Sequence, residues 1–170
     1  MILYHGSYMI IEKPELSFSR LRTDFGKGFY LTPVKEQAKS WAQRFLRDRS
    51  AAFLSIFEFL PEITLQVPKP EDKLSNNVKI LEFDSHNIEW LNFITACRLG
   101  KSADTDWDLV IGGVANDKVF DTLQLYFEGL IGADEAIGRL RYNKPNLQYC
   151  FKSQILIDNY LHFTGSEALT

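Results

Sequence analysis

The chain is poor in the residues that staple or anchor a protein. Only two of its 170 residues are cysteines, Cys97 and Cys150. They stand far apart, so one disulfide is feasible but no framework of them. No stretch approaches the roughly 18 consecutive apolar residues that a membrane span needs. The opening MILYHGS has no basic lead, apolar run and cleavage site, so it is not a secretory signal. A protein of the reducing cytoplasm, away from the membrane, is the expectation. Catalytic signatures are missing too: there is no G-x-G-x-x-G, P-loop, G-x-S-x-G, H-E-x-x-H or C-x-x-C. His5, His86 and His162 have no metal-ligand spacing with each other or with the cysteines, so no metal is expected. Cys150, in an apolar run, reads as packing rather than as a nucleophile. These absences remove most metallohydrolases, kinases and dehydrogenases.

Aromatic residues are plentiful: 13 Phe, 7 Tyr and 3 Trp, within a hydrophobic share of 45%. That excludes disorder, collagen-like sequence and a coiled coil. The length fits one domain, able to bury roughly 70% of its unfolded surface. The formal charge is −3, which argues against a surface that binds nucleic acid all over. Residues 20–49 differ, with eight basic side chains against three acidic ones. A basic segment in an acidic protein points to an anionic ligand, a solvated helix face being the plainer reading.

Periodicity predicts an α+β chain. Ile2–Tyr4 and Phe29–Leu31 read as strands. Thr32-Pro33 reads as a helix start, with Ala38, Trp41, Ala42, Phe45 and Leu46 on one apolar face. Further strands are expected at 53–59, 63–67, 78–83, 108–111 and 147–151. A helix capped by Ser85 should run from Ile88 to Leu99 and stop at Gly100. Helices are expected at 118–130 and 134–141, with 155–160 readable either way. His162 and Phe163 would form a last strand before a peripheral tail, after about residue 164. Strand and helix do not alternate regularly, so a doubly wound parallel sheet is not expected.

Two segments carry chemistry: Tyr4-His5-Gly6-Ser7, and Asp24-Phe25-Gly26-Lys27-Gly28-Phe29-Tyr30-Leu31-Thr32 with Gln37-Ala38 and Trp41 beyond. Trp41 follows Tyr30 by eleven positions. In these residues the chain resembles the ADP-ribosyltransferase superfamily, in the branch of diphtheria-type toxins and poly-ADP-ribose polymerases. The run DFGKGFYLT looks closest to a bacterial family of uncharacterised proteins placed in that superfamily. The resemblance implies a single domain with a split β-sheet core and flanking helices. It also implies NAD⁺ as co-substrate and mono-ADP-ribosylation of a macromolecule, either protein or nucleic acid.

The residue types suit that chemistry. Breaking the nicotinamide–ribose bond builds positive charge on the sugar, so the ring must be gripped and water kept out. Tyr30 and Trp41 would clamp the flat ring. The backbone of Gly6 would meet the carboxamide. His5 would hold a ribose hydroxyl and Ser7 the adenosine side. Arg20, Arg22 or Lys27 would meet the pyrophosphate, and the matching positions Gly28 and Thr32 join the binding set. Plainer readings exist for each: His5 as an edge-strand histidine, Tyr30 as a strand aromatic, Trp41 as core.

The superfamily's catalytic Glu is matched by Gln148, in Leu147-Gln148-Tyr149-Cys150-Phe151. An amide can orient a ribose but carries no charge and cannot act as a base. Asp117 and Glu135 are then candidates to activate the acceptor. The alternatives are a silent NAD⁺ or ADP-ribose binding module and, third, an NAD⁺-dependent RNA 2′-phosphotransferase. Toxin or conflict roles, with a small inhibitor protein as partner, are implied by analogy alone.

Overall fold

The computed structural model describes residues 1–48, 51–60, 78–101, 107–115, 117–140 and 146–170, without the side chains of 117–120. The fold is α+β. One sheet has the order β1-β3-β7, with β1 Ile2–Ser7, β3 Ala52–Phe59 and β7 Leu161–Leu169. The other has the order β2-β6-β5-β4, with β2 Phe29–Leu31, β6 Leu147–Phe151, β5 Leu109–Gly113 and β4 Ile80–Glu82. All described pairings are antiparallel except β4 with β5. Among the described residues an isolated bridge, Tyr4 to Thr32, joins the two sheets. The helices are α1 Lys35–Gln43, α2 Phe45–Asp48, α3 Ile88–Arg98, α4 Asp117–Phe127, α5 Ala133–Leu140 and α6 Gln154–Tyr160.

The apolar runs are explained by burial on both faces. In the four-stranded sheet, Phe29, Leu31, Leu109, Ile111 and Phe151 face a core closed by Leu156, Ile157 and Tyr160 of α6. Val110 and Cys150 face the opposite core, filled by Trp90, Leu91 and Ile94 of α3 and by Ala136 and Leu140 of α5. Strand β3 divides its burial: Ala52 and Leu54 pack with Ala38 and Ala42 of α1, while Phe57 and Phe59 belong to the α6 side. Period-2 alternation alone therefore understates how much of each strand is inside.

Several expectations are corrected. Strand β1 runs on through His5, Gly6 and Ser7, because these residues pair with Ser55, Leu54 and Phe53. Helix α1 starts at Lys35, not after Thr32; the backbone of Thr32 is held in the bridge to Tyr4, and its Oγ1 accepts from Val34 N. Trp41 is off the core at 48% exposure, and only Ala38 and Ala42 of α1 are buried. The cap of α3 is Asn87, whose Oδ1 accepts from Trp90 N at 2.8 Å, not Ser85. Residues 154–160 are helical, and β5 continues past residue 111 through Gly112 and Gly113. The tail is no periphery: it forms β7, paired with β3 as far as Leu169. Cys97 and Cys150 are both buried, and no disulfide joins them. The strand expected at 63–67 lies outside the described residues. Among those residues no helix is long and apolar enough to cross a membrane.

Candidate functional site

The seam between the two sheets sets the geometry. Tyr4 N donates to Thr32 O at 2.8 Å and Thr32 N to Tyr4 O at 3.0 Å. In a regular antiparallel ladder the next such pair, two residues on, would be Gly6 with Tyr30. Instead His5 Nδ1 contacts the Tyr30 carbonyl at 2.7 Å. Ladder parity turns the N–H and C=O of Gly6 away from β3 and into this opening. A backbone donor and acceptor therefore stand side by side where β1 and β2 part.

His5 is fixed by two neighbours. Its ring packs on Phe29 with centroids 4.5 Å apart. A carbonyl can only accept, so Nδ1 carries the hydrogen and Nε2 is left as an acceptor. Burial pushes the imidazole below its usual pKa, and the bond to Tyr30 O only partly offsets this.

Tyr30 occupies the adjacent strand. Its hydroxyl accepts from Phe25 N at 2.9 Å, donates to Gly26 O at 2.8 Å, and lies 2.8 Å from Thr23 Oγ1. Its ring stacks beside Phe25 at 6.5 Å. Burial raises the phenol well above its usual pKa, with Cys150 adding to the effect, so it stays neutral.

Gln148 lies one strand further, on β6. The register Phe29↔Phe151, Tyr30↔Cys150, Leu31↔Tyr149 ends one residue short of Gln148, which pairs on its other side with Gly112. His5, Tyr30 and Gln148 thus sit on three laterally adjacent strands. Gln148 is buried, and its Nε2 donates to Asp24 Oδ2 at 3.1 Å and to Gly113 O at 3.3 Å. Asp24 is held in turn by Arg98, which donates to Oδ1 through Nε at 3.0 Å and through Nη2, and by Ala115 N at 2.9 Å.

Helix α1 covers the seam. A Cβ on Gly6 would overlap the Ala38 carbonyl and lie 3.1 Å from the Cβ of Ala42, so only glycine fits there. A Cβ on Gly28 would overlap Cys150 Sγ and come within 2.9 Å of Phe151 O. Both glycines answer to packing whatever else they do. Gln37 of α1 donates through Nε2 to Leu147 O at 3.2 Å, tying the helix to β6 beside Gln148. Its Oε1 is enclosed and has no partner among the described residues.

Other expected residues are placed more loosely. Trp41 lies on the flank of α1 with the Arg44 guanidinium 4.8 Å above its ring. Tyr30 and Trp41 therefore pack on different neighbours. Ser7 is buried, its Oγ 3.5 Å from Met9 N. Arg20, Arg22 and Lys27 are exposed on the loop before β2, with Arg22 lying along Gly100. Part of the basic segment is consumed locally, since Lys35 meets Glu167 at 2.6 Å and Lys39 meets it at 3.8 Å. An open groove of about 680 Å³, lined by Ser40, Gln43, Arg44, Arg47 and Asp48, lies on the opposite side of α1 from Ala38 and Ala42.

Glu135 is exposed and paired with Arg139 on its own helix, while the side chain of Asp117 lies outside the described residues. The carboxylate that reaches Gln148 is Asp24, the first residue of the DFGKGFYLT run, to which the sequence alone assigns no role. A single acid inside a basic, aromatic run was the available signal. Arg98, 74 residues away from Asp24, left no signal. No curated protein and no solved structure gives a significant match. The family-level match spans residues 1–163 and so takes in every strand of the seam: the chain belongs to the family described as "Protein of unknown function (DUF3990)".

Proposed function

We propose that the protein is an NAD⁺-dependent mono-ADP-ribosyltransferase acting on a macromolecular acceptor. The observation that carries this reading is the parting of β1 from β2 at Gly6: the pairing stops at the Tyr4–Thr32 bridge, and His5 meets the Tyr30 carbonyl that the next rung would have used. An adjacent N–H and C=O match a carboxamide in both directions. His5 Nε2 then offers an acceptor to a ribose hydroxyl. Gln148 offers another, and Trp41 gives an exposed aromatic face from the covering helix. NAD⁺ supplies the chemistry: its glycosidic bond breaks with the electron pair going to nicotinamide nitrogen, C1′ takes a lone pair from the acceptor, and the acceptor's proton leaves to water.

The chain's own residues orient and exclude rather than exchange protons. Asp24 has both oxygens occupied, Tyr30 is held neutral, and Gln148 has no acid–base capacity. An acceptor that is already a good nucleophile fits such a site. The absence of a carboxylate at position 148 favours a second reading, a module that binds NAD⁺ or ADP-ribose without turnover. Incubation of the purified chain with adenylate-labelled NAD⁺, protein and nucleic-acid acceptors separates the two. Transfer predicts nicotinamide release and labelled acceptor; saturable NAD⁺ binding without either outcome supports the module instead.

A further inference from the structure

Both hydrogens of the Gln148 amide are accounted for by groups that can only accept, Asp24 Oδ2 and Gly113 O. The orientation of the amide is therefore forced. Its Oε1 has no partner among the described residues and is not among the fully enclosed orphan atoms. Asp24 cannot turn to accommodate a change: one oxygen is taken by Arg98, the other by Ala115 N and Gln148. The Asp24 and Arg98 side chains are only 11% and 17% exposed, so the pair is shielded from solvent.

We infer that Asp24 is the positioning residue for Gln148: backed by Arg98, it draws the amide nitrogen inward and presents Oε1 outward as a fixed, neutral acceptor. Position 148 is then not a disarmed glutamate. A glutamate there would set two carboxylates about 3 Å apart, with the Arg98 guanidinium on the far oxygen of Asp24 only, and such pairs cannot both ionise cheaply. The other titratable groups around the cluster are the Tyr30 phenol, the Cys150 thiol on the same face of β6, and His86, whose ring lies against Gly113. That Oε1 receives a ribose hydroxyl rests on the proposed transfer activity; the orientation itself does not.

A double-mutant cycle on the full chain tests this, with Asp24→Asn, Gln148→Glu and the two combined. In Asp24→Asn the new amide keeps its oxygen toward Arg98 and turns an NH₂ toward Gln148, so donor meets donor. In Gln148→Glu the new carboxylate meets Asp24 as like charge. Each single change should lower the melting temperature by about 5 °C or more. In the combined variant the amide at position 24 keeps its oxygen toward Arg98 and donates through its NH₂ to the carboxylate at position 148, so neither the donor–donor nor the carboxylate–carboxylate contact remains. The combined loss should then fall short of the sum of the two single losses by about 3 °C or more. In ¹H–¹⁵N spectra of the wild type, the Gln148 NH₂ should exchange slowly with solvent, and its signal should move in Asp24→Asn. Additive losses, or a Gln148 NH₂ that exchanges as fast as exposed glutamines, would overturn the inference. If single variants do not fold, the wild-type exchange rate decides. Nicotinamide release is read separately: its absence throughout, with the coupling intact, removes the transfer reading and leaves the positioning role.

Discussion

Gly6 of β1 lies against the Ala38 carbonyl of α1 so closely that no side chain can be built on it. This contact brings the covering helix down onto the seam, at the point where the backbone edge of Gly6 opens. A glycine required for packing thus also determines how near α1, with Gln37 and Trp41, stands to that opening.

Gly6→Ala is expected to destabilise the fold by about 1–3 kcal/mol, the usual range for overpacking a filled core. The neighbour that must yield is helix backbone rather than a flexible side chain. Chemical denaturation at neutral pH checks this. An unchanged midpoint would mean that α1 can lift off the seam at little cost.

His5 makes stability depend on pH in a definite direction. Its folded pKa lies below the ordinary 6.5 because of burial. The unfolded chain therefore binds more protons in that window, and stability rises with pH there. The contribution is fully present above pH 6.5 and is lost as pH falls through the folded value. His86 is shifted the same way, by burial, and acts in the same window. Melting temperatures taken from about pH 7.5 down to about 5 should fall for the wild type. The fall should be smaller in His5→Asn, which keeps a donor for Tyr30 O without titrating, and smallest when His86 is replaced as well.

Removing the Tyr30 hydroxyl tests how the 23–26 loop is held. Tyr30→Phe strands the Phe25 N–H, and Phe25 is fully buried. The expected loss is about 1–3 kcal/mol, the cost of an unsatisfied buried donor. Equilibrium unfolding measures it. The ring remains, so any stacking on a ligand should survive in whatever fraction stays folded.

The parts of this protein legible in its sequence were those fixed by local chemistry. Leu147–Phe151 is legible to the residue because an apolar run with aromatics admits little but a strand. Gly100, at φ 70°, ended its helix as a glycine in that conformation should. The misreadings came from distant partners. Trp41 sits at a core spacing on its helix, yet only Ala38 and Ala42 reach the cluster that Ala52 and Leu54 of β3 complete. The tail after residue 164 is polar in alternation, and only its pairing with β3 makes it a strand. Asp24 carried no sign of Arg98, and so its link to Gln148 could not be read either. An ion pair joining a loop to the end of a helix has no periodicity to betray it.

Trp41 offers the cleanest separation of binding from folding. Its side chain is about half exposed and touches Arg44 rather than core, so Trp41→Ala should change stability by less than about 1 kcal/mol. If its indole stacks on nicotinamide, the same change removes an aromatic contact of about 1–1.5 kcal/mol, roughly a tenfold loss of NAD⁺ affinity. Trp41→Phe should recover much of that loss. Calorimetric titration of NAD⁺ into the wild type and both variants gives the result directly. Equal affinity in all three would take Trp41 out of the site and leave Gly6, His5 and Gln148 to hold the ligand without a ring clamp.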